Sequence, residues 1–415
     1  MKKRNLATAT LIIAAILFVL SYFFDDGQDD SLGRTMRDVA VLMLTTEGQL
    51  NPTMVLTADT PTPDRIAPTL VVTSGIPTVL PPRTPAGTPP PAAPADFYQI
   101  YFTTPTCPPE EQRTGGIDQG IADDLLRAQT QVDVAAFDLD ATPIVNALLT
   151  LRERGVTVNI VTDTDNADLS SIRRLRRGGL SVVEDKRTGF MHNKFIIIDN
   201  RYLWTGSMNF TTNDVYCNNN NTVRFDAPVL AANYRAEMDE MYKERSFGPD
   251  SPQNTPQEQL TLQGIAVENY FAPERQMELI NVIARTVTRA EDEILFMAFS
   301  FTNEEIGEAM LGRADAGVPV RGIFEKTGAD TASSYYGRMR QAGLPHVEVR
   351  LDGNPRLLHH KVIIVDRQTV IFGSFNFTAS ANRSNDENLI IVHDADFASH
   401  FITEFEARWA EAAAE

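Results

Sequence analysis

The sequence predicts an α/β protein of two duplicated lobes, each a mixed β-sheet flanked by helices, related by a pseudo-twofold axis with one interfacial active site. The chain has 415 residues, of which 43% are hydrophobic and 22% charged. This is a globular composition in a chain longer than the ~250–300 residues that one core usually supports. An alternation of strands and helices occurs twice, and a motif of polar residues recurs in each half. These observations together predict the duplication.

The amino-terminal 24 residues have the pattern of a membrane anchor. Lys2, Lys3 and Arg4 precede an uncharged stretch at residues 6–24. A helix of that length would span ~28 Å, close to the ~30 Å hydrocarbon core. We therefore expect an uncleaved transmembrane helix in residues 1–24, a cytoplasmic amino terminus and a cell-membrane location with an exported catalytic region. A cleaved signal peptide and secretion are the alternative.

Residues 25–95 are predicted to form a linker. Within them, residues 51–95 contain 12 of the chain's 24 prolines, mixed with Thr, Ala and Gly. This composition favours extended conformations over helix or sheet. The two predicted lobes follow, in residues 96–250 and 251–415.

The two lobes contain equivalent elements in the same order. Each opens with a short strand, at residues 98–102 and 268–271, and continues with a buried strand, an amphipathic helix and another strand. Residues 136–163 match residues 298–325 at a constant offset of 162. A constant offset across several elements indicates duplication.

The strongest repeat relates residues 191–211 to residues 358–378 at an offset of 167. Each copy predicts a β-hairpin with His-x-Lys on its first strand, Asp at its turn and Gly-Ser-x-Asn at its end. Residues i and i+2 of a strand share a face, so each His lies beside its Lys. Burying these groups costs several kcal/mol unless they are paired, so the repeated motif indicates a functional site. The predicted site residues are His192, Lys194, Asp199, Ser207 and Asn209, and His359, Lys361, Asp366, Ser374 and Asn376.

This set of side chains suits the chemistry of a phosphodiester. Lys and Asn donate hydrogen bonds to phosphate oxygens, and Lys adds positive charge. Neutral imidazole can attack phosphorus, and protonated imidazole can supply a proton to a leaving alkoxide. The sequence has no His, Cys or Asp cluster with metal-ligand spacing, and the lysines already neutralise charge. We therefore expect no required metal and no other cofactor.

The motif H-x-K-x4-D followed by G-S-x-N resembles the signature of the phospholipase D superfamily, and the resemblance covers residues 96–415. It implies cleavage through a covalent phosphohistidine, with His192 as the nucleophile and His359 as the acid and base. Lys194, Lys361, Asp199 and Asp366 complete the catalytic set, although the two Asp residues are expected to support the site from a hairpin turn. The substrate-binding set comprises Ser207, Asn209, Ser374, Asn376 and Glu387.

One difference between the halves bears on the roles of the histidines. Glu387 lies 28 residues after His359, whereas Asn220 lies 28 residues after His192. A carboxylate favours imidazolium, and an amide does not. If each residue serves the His of its own half, His359 is the better acid and His192 the better nucleophile. Pairing across the halves reverses this assignment.

The preferred function is a phospholipase D, a monomeric catalytic unit that releases phosphatidic acid and a head-group alcohol from a phospholipid of the membrane to which it is anchored. An extracytoplasmic nuclease is an alternative, and a net charge of −18 disfavours nucleic acid as a partner. The basic cluster at residues 173–179 is the feature that favours it. Phosphatidyl transfer, as in cardiolipin synthesis, and a catalytically inactive binding module are further alternatives.

The two cysteines, Cys107 and Cys217, both lie near the predicted site. A disulfide between them is a hypothesis that fits an oxidising compartment outside the cell.

Overall fold

The protein, for which we have a computed structural model, is described over residues 97–274 and 278–412. The predicted anchor in residues 1–24 and the predicted linker in residues 25–95 lie outside the described residues. Among the described helices, none is long and apolar enough to cross a membrane. The longest of them, Ala395–Glu411, has 17 residues and carries several charged side chains. This finding corrects the predictions of a transmembrane helix, of membrane attachment through it and of a single-pass location.

The first lobe contains a seven-stranded mixed sheet in the order β1-β7-β6-β5-β2-β3-β4. Strands β2, β3 and β4 are parallel, and the other neighbours pair antiparallel. The elements are β1 (Tyr98–Phe102), α1 (Ile117–Leu125), β2 (Gln131–Ala136), α2 (Thr142–Glu153), β3 (Thr157–Thr162), α3 (Ser170–Arg177), β4 (Ser181–Glu184), β5 (Lys194–Ile198), β6 (Tyr202–Gly206), α4 (Thr212–Tyr216), β7 (Asn221–Asp226) and α5 (Pro228–Asp239).

The second lobe repeats this arrangement in an eight-stranded sheet of order β12-β11-β10-β13-β14-β15-β9-β8, with β8 as an additional edge strand. Its elements are β8 (Gln259–Leu262), β9 (Ile265–Ala272), α6 (Glu278–Thr288), β10 (Ile294–Ala298), α7 (Glu304–Asp315), β11 (Val320–Phe324), α8 (Tyr335–Gln341), β12 (Val347–Leu351), β13 (Lys361–Val365), β14 (Thr369–Gly373), α9 (Ala379–Arg383), β15 (Glu387–His393) and α10 (Ala395–Glu411). Two mixed sheets with flanking helices confirm the predicted fold class. Residues 96–250 and 251–415 remain our proposed lobe boundaries.

Each sheet is covered on both faces. A central hydrophobic core contains side chains from both sheets and from α5 and α10, such as Phe195, Tyr234, Phe372 and Phe401. Two outer cores lie between each sheet and its own remaining helices. Coverage on both faces explains why β5 and β13 are apolar along their length after the initial Lys and are buried at every position.

The predicted hairpins are present, with one difference at their start. Strands β5 and β6 pair antiparallel, as do β13 and β14. The strands begin at the lysines, so His192 and His359 precede them. The physical reason is that each His backbone binds the opposite lobe: the N–H of His192 donates to the carbonyl of Asp386 at 2.9 Å, and that of His359 to the carbonyl of Asn219 at 2.8 Å.

The contact between the lobes has internal symmetry. Met191 forms an isolated parallel bridge with Asp386, and Leu358 forms one with Asn219. Adding 167 residues to Met191 gives Leu358, and adding 167 to Asn219 gives Asp386, which is the offset found in the sequence. The two bridges are therefore equivalent by the duplication, as a pseudo-twofold arrangement requires.

Candidate active site

The two motif histidines lie at the junction of the lobes, and each is bonded through Nδ1 to the opposite lobe. The Nδ1 atom of His192 lies 2.8 Å from both carboxylate oxygens of Glu387. The Nδ1 atom of His359 lies 2.9 Å from Oδ1 of Asn220. The histidines are only 3% and 6% exposed. The pairing therefore crosses between the halves.

Hydrogen bonds around Asn220 fix how His359 is held. The Nδ2 atom of Asn220 donates to Oδ1 of Asp214 at 2.8 Å, and its Oδ1 accepts from the hydroxyl of Ser207 at 2.9 Å. Because Oδ1 of Asn220 can only accept, Nδ1 of His359 is the donor. The lone pair of His359 is then on Nε2, the atom left for a substrate.

Asp214 lies at the candidate site and was missed by the sequence reasoning. It is 5% exposed, and its Oδ1 lies 3.5 Å from Nδ1 of His359. It therefore brings a carboxylate to the histidine whose direct partner is a neutral amide. Comparison of the halves does not reveal it, because Ala381 occupies the equivalent position. The pattern Thr211-x-x-Asp214 instead predicts a helix cap, and Thr211 does cap α4.

The motif lysines are buried beside the histidines. Lys194 and Lys361 are each 1% exposed, and each Nζ donates to the carbonyl of the His two residues before it, at 2.7 and 3.0 Å. Burial lowers the pKa of Lys194 to about 8, against the opposing effect of Glu387 and Asp214. Burial and the charge of Lys194 lower the pKa of Lys361 well below its usual value. An anion at the site would restore both toward the charged form.

Two phenylalanines complete the surroundings of these groups. Phe137 contacts the ring of His192 edge-to-face with centroids 4.9 Å apart, and Phe299 contacts His359 in the same way at 4.8 Å. The lysine of each half lies over the same phenylalanine, at 5.1 and 4.7 Å from its centroid. These aromatic rings are equivalent by the offset of 162 and restrict the position of each His–Lys pair.

The electrostatics indicate one shared site. Burial lowers the pKa of His192, and the charges of Lys194 and Lys361 lower it further. Burial, both lysines and His192 lower the pKa of His359. Burial raises the pKa of Glu387 to about 8, against the effect of Lys194. Since each lysine acts on the histidine of the other lobe, the four motif groups are close to one another.

The predicted Ser and Asn residues have different environments. Ser374 donates to Oε2 of Glu387 at 2.6 Å, just as Ser207 donates to Asn220, so each serine orients the partner of a histidine. Asn376 is fully buried, and neither its Oδ1 nor its Nδ2 has a hydrogen-bond partner among the described residues. A buried polar group without a partner costs ~1–3 kcal/mol. A phosphate oxygen accepting from Nδ2 of Asn376 would recover part of this.

A family described as "Cardiolipin synthase, PLD-like domain" matches residues 121–242 and 283–409. There is one match in each lobe, and together they comprise more than half of the chain. The chain belongs to the phospholipase D superfamily. This confirms the resemblance found in the sequence.

Similar curated proteins align with about one lobe. A mitochondrial cardiolipin hydrolase from Xenopus tropicalis is 34% identical over 122 residues, which are 29% of this chain and 58% of that protein. A phospholipase D from Rickettsia felis (strain ATCC VR-1525 / URRWXCal2) is 35% identical over 120 residues, again 29% of this chain and 58% of that protein. The chain thus spans somewhat more than half the length of these relatives.

Two solved structures are also similar. Nuc, a phospholipase D family member from Salmonella typhimurium, is 30% identical with a TM-score of 0.33, covering 36% of this chain and 97% of that chain. The phosphatidylserine synthase of Haemophilus influenzae Rd KW20 has a TM-score of 0.57 at 13% identity, covering 75% of this chain and 85% of that chain. The second likeness is one of fold alone.

The glycine of the superfamily motif permits a close approach between strands. A Cβ atom added to Gly206 would lie 2.4 Å from the carbonyl oxygen of Asn221, and one added to Gly373 would lie 2.3 Å from that of Asn388. Both contacts are shorter than any side chain allows. The neighbouring strand can therefore lie close enough to direct Asn220 or Glu387 toward the opposite lobe.

The motif aspartates, Asp199 and Asp366, do not lie at this site. Each occupies the hairpin turn at the far end of its strand, roughly 20 Å from the histidine at ~3.3 Å per residue. The carboxylate of Asp199 accepts the backbone N–H groups of residues 129–131, and that of Asp366 those of residues 291–293. Their inclusion in the catalytic set is therefore corrected: both stabilise a turn.

Another acidic pair supports the histidines from behind. Asp163 accepts the N–H of Met191 at 2.9 Å, and Glu325 accepts the N–H of Leu358 at 2.6 Å. Burial, followed by a neighbouring carboxylate, raises the pKa of each to about 7. The repeat had matched Asp163 with Glu325, but nothing in the sequence indicated that they hold the residue before each motif histidine.

The structure contains the disulfide between Cys107 and Cys217. Cys217 lies three residues before Asn220, and its carbonyl accepts from Nδ2 of Asn354 in the second lobe at 3.1 Å. The disulfide thus fixes the segment that carries the partner of His359.

Proposed function

We propose that the chain is a phosphodiesterase of phospholipase D type, which hydrolyses glycerophospholipids to phosphatidic acid and a head-group alcohol through a phosphohistidine. The observation that carries this proposal is the crossed pair of histidines, each held through Nδ1 and flanked by two buried lysines. The names of the relatives, phospholipase D and cardiolipin hydrolase, favour a phospholipid as the substrate.

The unlike partners of the histidines suggest opposite roles. A phosphorylated imidazole carries positive charge. This charge favours ionisation of the adjacent Glu387, and the resulting carboxylate stabilises the intermediate directly, so we assign His192 as the nucleophile. The acid must release its proton easily, and His359 bonds directly to a neutral amide. The proton affinities of the two histidines in the free enzyme give the opposite assignment. The carboxylate partner, which favours imidazolium, belongs to His192 because the pairing is crossed. We give more weight to the charge of the covalent intermediate, since that state lies on the reaction path.

The reaction then has two steps. In the first, Nε2 of His192 attacks phosphorus and the bond from phosphorus to the head-group oxygen breaks. His359, which the bound phosphate anion brings to its imidazolium form, gives the proton on its Nε2 to that oxygen. In the second, His359 takes a proton from water, the water oxygen attacks phosphorus, and the phosphorus–nitrogen bond breaks to restore neutral His192. Lys194, Lys361 and Asn376 bind the non-bridging oxygens and neutralise their charge.

A substrate with a good leaving group separates the two roles. Bis-p-nitrophenyl phosphate releases p-nitrophenolate without needing an acid, so His359→Ala should give a burst of one equivalent and then stop, because no base activates water. His192→Ala should give no burst. Stopped-flow absorbance measures both. A burst in His192→Ala and none in His359→Ala would reverse the assignment.

The substrate class is tested on the purified chain with vesicles of phosphatidylcholine, phosphatidylglycerol or cardiolipin, and with single-stranded DNA. Release of phosphatidic acid, detected by mass spectrometry, with DNA left intact supports the proposal. Turnover of DNA alone excludes it. With a primary alcohol added, phosphatidyl alcohol as the main product would indicate a transferase.

A nuclease remains the second candidate, because of the basic cluster at residues 173–179. Within this cluster Arg173 and Arg176 donate to the carbonyls of Asp168 and Ala167, and Arg174 donates to the side chain of Asn146. These hydrogen bonds within the first lobe reduce the number of guanidinium N–H groups that the cluster can donate to the phosphates of a nucleic acid.

A further inference from the structure

Three glutamates that the proposed mechanism does not use form a cluster behind the active site. One carboxylate oxygen from each of Glu237, Glu240 and Glu274 lies within 4.8 Å of the others. Glu237 and Glu240 are 2% and 1% exposed. Carboxylates gathered this closely out of water repel one another strongly unless protons or a cation neutralise them.

The cluster joins the two lobes. Glu237 lies in the last turn of α5, and Glu240 follows three residues later on the same side of the continuing helical segment. Glu274 comes from the second half of the chain, just after β9. A ligand bound by all three would therefore connect the end of the first lobe to the start of the second.

Two buried carboxylate oxygens in the cluster have no hydrogen-bond donor among the described residues. Glu237 and Glu240 each accept a hydrogen bond at one carboxylate oxygen. Oε1 of Glu237 accepts from Asn193 at 2.8 Å, and Oε2 of Glu240 accepts from Asn254 at 3.1 Å. The other oxygens, Oε2 of Glu237 and Oε1 of Glu240, are buried and accept no hydrogen bond from the described residues. No described Lys or Arg forms an ion pair with either residue. Two fixed carboxylates thus each direct an unsatisfied oxygen into the cluster.

We propose that Glu237, Glu240 and Glu274 bind one Ca²⁺ ion that links the lobes. Carboxylate oxygens are hard ligands, which favour Ca²⁺, Mg²⁺ or Mn²⁺ over softer metals. Ca²⁺ takes 6–8 oxygen ligands at ~2.3–2.6 Å in flexible geometry, whereas Mg²⁺ requires a near-ideal octahedron and usually keeps several waters, so a buried group of protein carboxylates favours Ca²⁺. The buried hydroxyl of Ser251 interacts with the carboxylate of Glu240 and offers a neutral oxygen beside the cluster.

The buried carboxyls of the cluster also raise one another's pKa. Burial, and then the charge of Glu274, raises the pKa of Glu240 to about 8. Burial and the charge of Glu240 raise the pKa of Glu237 well above its usual value.

The ion would act by positioning, not by chemistry. Glu237 holds the side chain of Asn193, which lies between His192 and Lys194 in the motif. A cation that fixes Glu237 therefore also fixes the strand entry that carries the nucleophile. The ion is distinct from a catalytic metal, and its binding does not depend on which phosphodiester is cleaved.

The test uses the full chain after removal of divalent ions with EGTA. Added Ca²⁺ should raise the midpoint of thermal unfolding and bind with a stoichiometry of one in isothermal titration calorimetry. Glu240→Gln should weaken Ca²⁺ binding at least tenfold and abolish the thermal shift. Glu244→Gln, at an exposed position of the same segment, is the matched control and should retain both. Glu274→Gln repeats the test from the second lobe if Glu240→Gln does not fold.

Three results would overturn the proposal. Absence of binding and of a thermal shift at millimolar Ca²⁺ would mean that protons alone neutralise the cluster. A shift that survives in both Glu240→Gln and Glu274→Gln would assign the ion to another surface site. Binding of Mn²⁺ or Mg²⁺ without Ca²⁺ would reject calcium as the ligand.

Discussion

At the scale of single residues, position decides what each acidic side chain does. Asp199 has three backbone donors, and although burial acts to raise its pKa, the N–H groups of residues 129–131 lower it. Asp214 is buried next to His359 and acts on it through Asn220. Residue type alone therefore does not separate a turn residue from a member of the site.

Asp138 leads to a prediction about pH. Burial, followed by the charges of Asp140 and Asp214, raises its pKa to about 7, against the effect of the nearby Lys194. Below about pH 7 Asp138 is neutral, and above it the carboxylate opposes binding of a phosphate at Lys194. Asp138→Asn should therefore lower KM for a phosphodiester roughly threefold to tenfold at about pH 8 and leave it unchanged at about pH 6.

Initial rates over a range of substrate concentrations at both pH values measure this effect. The exposed Asp123 in α1 provides the control, and Asp123→Asn should change KM at neither pH. An equal change in KM at both pH values for Asp138→Asn would show that the ionisation of this carboxyl does not affect substrate binding.

At the scale of elements, the two motif hairpins are built by the same turn. Asp199 and Asn200 both have φ of 53°, and Asp366 and Arg367 have φ of 52° and 55°. Two successive positive φ values are the mark of a type I′ turn, whose twist suits antiparallel strands. Here the turn is part of a three-residue connection, since Ile198 pairs with Tyr202 and Val365 with Thr369. The motif Asp fits because its carboxylate also fixes the adjacent loop, which offsets the strain of a left-handed conformation.

The turn predicts that the motif Asp affects stability and not chemistry. Asp199→Ala leaves three backbone N–H groups without their acceptor and should lower the free energy of unfolding by about 1–2 kcal/mol, while kcat stays within about twofold. Urea unfolding and steady-state kinetics measure the two quantities. Asp366→Ala tests the equivalent turn and should give the same result. A loss of kcat by orders of magnitude in a folded Asp199→Ala variant would contradict the structural role.

At the scale of the whole molecule, the candidate active site depends on how the lobes are held together. The histidine of each lobe is completed by a residue of the other, across 195 residues for His192 with Glu387 and 139 for His359 with Asn220. Neither lobe alone contains both a motif histidine and the residue that bonds to its Nδ1 atom. The backbone bridges at Met191 and Leu358 fix this arrangement.

The disulfide predicts a contribution to both stability and activity. Cys107 and Cys217 are 110 residues apart, so the bond closes a long loop in the unfolded chain. Replacing both with Ser should lower the free energy of unfolding by about 2–4 kcal/mol and reduce kcat, since Cys217 precedes Asn220. Chemical denaturation and kinetics check these effects. Thiol titration of the denatured, unreduced wild type should find no free thiol, and two free thiols would exclude the bond.

Local pattern explains what the sequence predicted well. The first strand, Tyr98–Phe102, the motif hairpins and the two-lobed α/β fold follow from periodicity, turn residues and repetition, which act over a few residues at a time. The positions of His192 and His359 in the motif, and the family to which the chain belongs, could be predicted from the sequence for the same reason.

Tertiary packing decided the rest. The sequence defined the two imidazoles but not their partners, because Glu387 and Asn220 reach across the lobes only after folding. Asp214 looked like the partner of a helix cap at Thr211. The sequence did not predict the cluster of three glutamates at the lobe junction, since their spacing along the chain does not reveal that they meet. Local chemistry is encoded in adjacent residues, whereas the electrostatic environment of a buried group depends on distant segments of the chain that the fold brings around it.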